Sequence, residues 1–298
     1  MSFDARFQQQ CESLHHQAAR VWGRNFLGRR TQWTLAGGTE VTGYSDYSVG
    51  DDPRYIDWNL CARHDELRVK QFQGSEDNRV YLVLDVSRSM SPSGSEKFAF
   101  ARRLTAALGY LALANLDRVG VLAVSDRIVS RFPAVRGRSH LPRLLAMLEN
   151  LTVDQAATNL RAGCEAVTRE GPRGGLAVLI SDLIDPAGLE PALDTLRVRG
   201  FEPHLVHVVD PRETEWTATG PVALVDAESG RVVRTTLTPR DVANYRNVCH
   251  ESVDALKRYC GRWWISYVQV RCDAPIENAV YQMFGVAKSR MASLHARQ

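Results

Sequence analysis

The chain has no run approaching the roughly 20 apolar residues that a membrane span requires, and its first residues lack the apolar core of a signal peptide. Both absences lead us to expect a soluble, cytoplasmic protein. The six cysteines, Cys11, Cys61, Cys164, Cys249, Cys260 and Cys272, include no Cys-x-x-Cys pair and no histidine spacing of a zinc site. Free thiols in a reducing compartment are therefore expected. A net charge of +3 over 298 residues gives no electrostatic footprint for nucleic acid. Arg24, Arg29 and Arg30 do cluster, and read as a solvated helix end. Catalytic signatures are missing too. There is no Gly-x-x-x-x-Gly-Lys-Ser/Thr loop, and Gly171–Gly175 precedes a strand without a lysine, so nucleotide hydrolysis is not expected. Neither Gly-x-Ser-x-Gly nor His-Glu-x-x-His occurs, which leaves serine hydrolases and zincins without support.

What is present is organised around Tyr81–Met90. Tyr81, Leu82, Val83 and Leu84 form the continuous apolar run of a central parallel strand covered on both faces, and Asp85, Val86, Ser87, Arg88 and Ser89 follow at once. Ligands of an open α/β sheet bind at the carboxyl ends of its strands. One carboxylate and two hydroxyls are presented there, a donor set that suits a hard cation such as magnesium. A second reading stays open, in which Asp and Ser simply cap the next helix. An aspartate-based phosphatase of the haloacid dehalogenase type also begins with a strand and an Asp. It needs a second Asp two residues on, where this chain has Ser87.

Before this strand, Phe7, Cys11, Leu14, Ala18, Val21, Trp22 and Leu27 mark one face of a helix stopped by Gly28. A packing helix is the first reading. Arg20 and Arg24 leave peripheral contact with an anionic membrane as the other. Residues 31–78 show short alternating runs punctuated by Gly37-Gly38, Gly43 and Gly50, the pattern of a small β subdomain. In its densest part, Asp51, Asp52 and Asp57 sit among Arg54 and Arg63, with Trp58 beside them. We read this as an ion-pair lock that tethers the segment, the alternative being ligand or partner contacts. Residues 1–78 are thus expected to form an N-terminal helix and β subdomain packed on a main domain of 79–298.

After Ser89 the pattern alternates helix and strand. Helices are expected at Lys97–Leu116, Leu141–Leu151, Leu160–Arg169, Leu189–Arg199, Arg240–Tyr259 and Ile276–Met291. Strands are expected at Val119–Val124, Ile128–Phe132, Leu176–Ile180, His204–Val209 and Trp263–Val270. A hairpin inserted near 212–238 interrupts the alternation, signalled by Asp226-Ala227-Glu228-Ser229-Gly230 between two β-rich runs. The fold class is α/β, a doubly wound, largely parallel sheet. Thr158 opens a helix and Asp182 follows the strand Leu176–Ile180, so Asp85, Ser87, Ser89, Thr158 and Asp182 all fall on one sheet edge and are candidates to converge on one ion. Two function classes follow. One is a metal-dependent binding protein. The other is a hydrolase using the same ion to activate water, with Asp126 or His140 as the available base.

Asp85-x-Ser87-x-Ser89 with Thr158 and Asp182 resembles the metal-ion-dependent adhesion site of von Willebrand factor A domains. Gly50-Asp51-Asp52-Pro53-Arg54, Ile56-Asp57-Trp58, Ala62-Arg63, Leu67 and Val69-Lys70 ahead of it resemble the bacterial family called domain of unknown function fifty-eight. Ser45, where that family often has Arg, departs from the pattern. The resemblance implies a von Willebrand factor A-like fold. It also implies a Mg2+ (or Mn2+) ion with Ser87, Ser89 and Thr158 as direct ligands, and Asp85 and Asp182 in the polar shell. An acidic side chain of a protein partner would fill the open position. It further implies a non-enzymatic adaptor working with a MoxR-type AAA+ ATPase or its client in protein or complex maturation.

Overall fold

The protein is described here by a computed structural model, which covers residues 3–22, 40–47, 56–58, 60–61, 67–73, 79–92, 96–170, 174–185, 188–226, 230–283 and 285. The chain divides into two compact units, Met1–Gly28 with Arg79–Gln298, and Arg29–Asn78. The N-terminal helix, α1 (Ala5–Trp22), therefore belongs with the main unit and not with the β subdomain. Its apolar stripe explains why. Phe7, Cys11, Leu14 and Ala18 are buried in the core of the main unit. That face is therefore occupied by packing, the first of the two readings of the helix.

Strands and helices alternate through the main unit. β3 (Arg79–Asp85) leads to α2 (Lys97–Ala114), then β4 (Arg118–Val124), β5 (Ile128–Arg136), α3 (Leu141–Glu149) and α4 (Leu160–Arg169). β6 (Gly175–Ser181), α5 (Leu189–Val198), β7 (Phe201–Val209) and the short α6 (Pro211–Thr214) follow. Then come β8 (Gly220–Val225), β9 (Val232–Leu237), α7 (Pro239–Arg262), β10 (Ser266–Arg271) and α8 (residues 276–283). Six strands form one sheet in the order β10-β7-β6-β3-β4-β5, parallel except for the antiparallel edge strand β5.

Period-two alternation sends successive side chains to opposite faces of this sheet. Val80, Leu82 and Leu84 join the core under α1, α2, α3 and α8, whereas Tyr81 and Val83 join the core under α4, α5 and α7. Helices on both faces explain why the central strands are continuously apolar, as in any doubly wound sheet. The helices approach closely where glycine permits. A Cβ on Gly163 of α4 would fall 2.9 Å from Val83 Cγ1 and Val124 Cγ2, so glycine there lets α4 settle against β3 and β4. β10 begins at Ser266, later than the apolar pattern suggests, because Trp263 ends α7 and Trp264 turns the chain with φ 56°.

In the second unit, β1 (Glu40–Asp46) pairs antiparallel with β2 (Arg68–Gln73), and Ile56 bridges to Val69. Arg68 forms an ion pair with Asp46 at 3.1 Å. Of the expected lock, Asp51, Asp52, Arg54 and Arg63 lie outside the described residues. Asp57 opens a turn: its carboxylate accepts from Leu60 N at 3.2 Å and from Tyr44 OH at 3.2 Å. Trp58 does not act as the apolar anchor expected of it, being 65% exposed. Ile56, two residues earlier, is buried where it bridges to Val69 and takes that part.

Candidate metal centre

β3 lies between β4 and β6, so residues just beyond its carboxyl end are surrounded by the ends of its neighbours. Asp85 is fully buried there. Its Oδ1 accepts from Ser87 N at 2.9 Å and its Oδ2 accepts from Ser181 Oγ at 2.6 Å. Burial, and secondarily the nearby Asp182 carboxylate, push its pKa up to about 6. Among the described residues no cationic side chain pairs with it. Two backbone bonds pin the following turn, Val86 N to Val124 O at 2.8 Å and Arg88 N to Ala156 O at 3.2 Å.

The pinned turn brings three hydroxyls together. Thr158 Oγ1 donates to Ser87 Oγ at 2.7 Å, Ser87 Oγ lies 3.1 Å from Ser89 Oγ, and Ser89 Oγ lies 3.5 Å from Thr158 Oγ1. All three residues are buried. Ser87 precedes the 3-10 turn Arg88–Met90 yet makes no side-chain capping bond, and α4 is capped by Asn159, whose Oδ1 accepts from Ala162 N at 3.1 Å.

Asp182, just after β6, is also buried, and Lys97 Nζ at the start of α2 donates to its Oδ2 at 3.0 Å. The same ammonium reaches Glu213 of α6, at 2.9 Å from Oε1. Burial alone would lower the pKa of Lys97, but the two carboxylates outweigh it and the net shift is upward. Glu213 is raised, by burial first. Beside Asp182, burial holds His207 down to about 4, so its ring is neutral at physiological pH, and its Nδ1 lies 2.8 Å from Tyr267 OH. Lys97, Ser181, Glu213 and His207 escaped sequence reasoning. Ser181 carried the one usable signal, its place at a strand end beside Asp182.

The five predicted residues thus meet at one edge, and the structure brings the hydroxyls of three of them into mutual contact. The two candidate bases part company. Asp126 shares that edge but is bound by Arg127 at 2.8 Å. His140 follows β5, whose antiparallel course pairs Arg136 with Arg118 at the start of β4, which places His140 toward the opposite edge.

Among the described residues no three His, Cys, Asp or Glu side chains gather to hold a metal. Three hydroxyls with two carboxylates form an all-oxygen set, and this fits a hard octahedral cation that keeps part of its water.

A doubly wound sheet with an Asp-x-Ser-x-Ser turn at its central strand's carboxyl end, met by a threonine and a second aspartate, defines a von Willebrand factor A-like domain. The chain belongs to the family described as protein of unknown function DUF58, whose sequence profile matches residues 43–252. An uncharacterized protein of Mycobacterium tuberculosis is 32% identical over 199 residues, covering 65% of this chain and 62% of the relative. The chain therefore spans just under two thirds of that relative's length. Among solved structures, the hypothetical protein BatB of Bacteroides thetaiotaomicron aligns at a TM-score of 0.44 and 17% identity, over 71% of this chain and 99% of BatB. Proximal thread matrix protein 1 of the mussel byssus, solved with a zinc-occupied MIDAS motif, aligns at a TM-score of 0.34 and 13% identity, over 44% of this chain and 35% of that one. No helix among the described residues is long and apolar enough to cross a membrane.

Proposed function

We propose that this chain is a magnesium-dependent protein-binding adaptor that recognises an acidic side chain of its partner, working with a MoxR-type AAA+ ATPase or that enzyme's client in protein or complex maturation. One observation carries the reading. The hydroxyls of Ser87, Ser89 and Thr158 lie within 3.5 Å of one another beside the buried Asp85. Ser87, Ser89 and Thr158 would hold the ion, and Asp85 and Asp182 would supply the nearby negative charge. When bound, the cation supplies a coordination position for one partner carboxylate, which neutral hydroxyl ligands leave electrophilic.

The chain's own residues do the rest. Ser181 and the Ser87 amide orient Asp85, and Lys97 fixes Asp182. Hydrolysis would require a general base beside the ion. Asp126 is engaged by Arg127 and His140 lies toward the other edge, so no observation favours turnover.

Calorimetry of the wild type and of Ser87→Ala with Ser89→Ala against a MoxR-type ATPase, with magnesium and with chelator, tests this. Truncating one side of a buried charge contact typically costs about 2–5 kcal/mol, enough to abolish a micromolar complex at working concentrations. Binding only by the wild type with magnesium is expected. Equal affinity in all four conditions would sink the ion-mediated reading, and steady release of phosphate or peptide product by the isolated chain would favour the hydrolase.

A further inference from the structure

The β8–β9 hairpin is tied to the candidate metal centre at both of its ends. At its root, Glu213 takes the ammonium of Lys97, which also holds Asp182, and Arg246 of α7 donates to the carbonyls of Trp216 at 3.1 Å and Glu215 at 3.4 Å. At its tip, a Cβ placed on Gly230 would stand 3.6 Å from Nη1 of Arg88, the residue between the two serines of the metal turn. The hairpin therefore runs from the carboxyl end of β7 back toward the end of β3, along the edge where the hydroxyls gather.

Val222 and Leu237 are half-buried, but the hairpin's other apolar strand side chains are not used to pack. Leu224 faces Val233 across the ladder and Val225 faces Val232, and all four are exposed, at 44%, 47%, 60% and 54% respectively. Neighbouring positions in a strand point to opposite faces, so both faces of the hairpin carry bare apolar pairs. Among the described residues β8 pairs only with β9, which leaves an outer row of backbone donors and acceptors on each strand. Isolated two-stranded sheets are marginal in water, and unpaired apolar edges invite another strand. The strands GPVALV and VVRTTL contain no acidic residue and one basic residue, Arg234, and at the tip end the acidic Asp226 and Glu228 of the sequence are accompanied by Arg231 and Arg88.

We propose that the hairpin and the cation site form one docking surface for an extended segment of a partner protein. The segment adds as a third strand on the hairpin, lays alternate apolar side chains on its exposed pairs, and delivers one carboxylate to the ion. This rests on the metal-dependent reading above and specifies the partner's shape: an alternating apolar strand with an acidic residue at the end near Arg88. Main-chain bonds give such strand addition its affinity, and alternate side chains give it specificity.

The test selects peptides of about twelve residues, long enough to overlay a six-residue strand and still reach the ion, from a random display library on the full chain with magnesium. Enriched peptides are expected to alternate apolar and polar residues and to carry an Asp or Glu at one end. A selected peptide should bind about tenfold more weakly to Leu224→Ser, Val225→Ser, Val232→Ser, Val233→Ser combined. That variant should keep the wild-type magnesium response in melting, because its substitutions are all exposed. Ser87→Ala with Ser89→Ala should lose both the binding and the magnesium response. Unchanged affinity of the hairpin variant, with binding still magnesium-dependent, would overturn the hairpin proposal and leave the metal reading standing. Loss in the hairpin variant with indifference to chelator would overturn the composite surface and the metal reading together. No enrichment, or peptides without the alternation, would overturn the strand-addition geometry. A wild-type dimer in sedimentation that the hairpin variant abolishes would overturn it in favour of self-pairing.

Discussion

Asp85 sits at 0% exposure between two hydrogen-bond donors and is matched by no cationic side chain among the described residues, so its ionised form is strained while the metal is absent. Its pKa rises from 3.8 to about 6, which means that the folded chain binds the proton more tightly than the unfolded chain does. In chelator, stability should therefore fall as pH rises from about 4 to about 6 and then level off. A rise from 3.8 to about 6 corresponds to about 3 kcal/mol at most. Asp85→Asn should flatten that dependence, be at least as stable as the wild type at pH 7.5 in chelator, and lose the response to magnesium. Urea titrations at pH 4.5, 6 and 7.5 check all three. Lys97 is the opposite case, a buried cation that two carboxylates require. Lys97→Met strands Asp182 in the interior, and unfolding in chelator should show a loss of about 3–5 kcal/mol. These charges explain where sequence reading stopped. Asp85 and Asp182 announce themselves at strand ends, but Lys97 is 85 residues from Asp182, and its spacing in the chain signals nothing.

At the scale of elements, α1 shows how a periodic stripe can be read correctly and still leave its destination open. Phe7, Cys11, Leu14 and Ala18 declare an amphipathic helix by their spacing alone, yet that spacing serves a membrane surface as well as a protein core. Burial of all four in the core of the main unit decides between them. Leu14→Ala should accordingly cost about 2–5 kcal/mol by cavity formation, read as a lowered urea midpoint. Trp58→Ala makes the contrasting case. A tryptophan next to clustered charges suggests an anchor, but exposure of 65% predicts a change within about 0.5 kcal/mol. A large loss of stability in Trp58→Ala would show that the exposed ring is anchored after all. The hairpin was legible through its turn residues, whereas the Lys97–Glu213 pair at its root and the approach of Gly230 to Arg88 were not, since both join residues remote in sequence.

For the whole molecule, the consequence of the site is a melting temperature that responds to magnesium. An ion that binds only the folded chain stabilises it by about 2.7 kcal/mol at a hundredfold excess over its dissociation constant. The wild type should show that rise in a thermal melt. Ser87→Ala with Ser89→Ala should not, and a shift that survived in Asp85→Ala would put the metal elsewhere. By itself the sequence determined the α/β class, the order of the elements, the inserted hairpin and the carboxylates at the ends of β3 and β6, because each is written in local periodicity and turn chemistry. Only the tertiary structure decided that Thr158 meets Ser87 and Ser89, that Lys97 joins Asp182 to Glu213, and that His140 lies toward the edge away from the site. Those outcomes depend on strand order and on the antiparallel turn of β5. They bring together groups separated by tens of residues, and no local pattern of side chains encodes that distance.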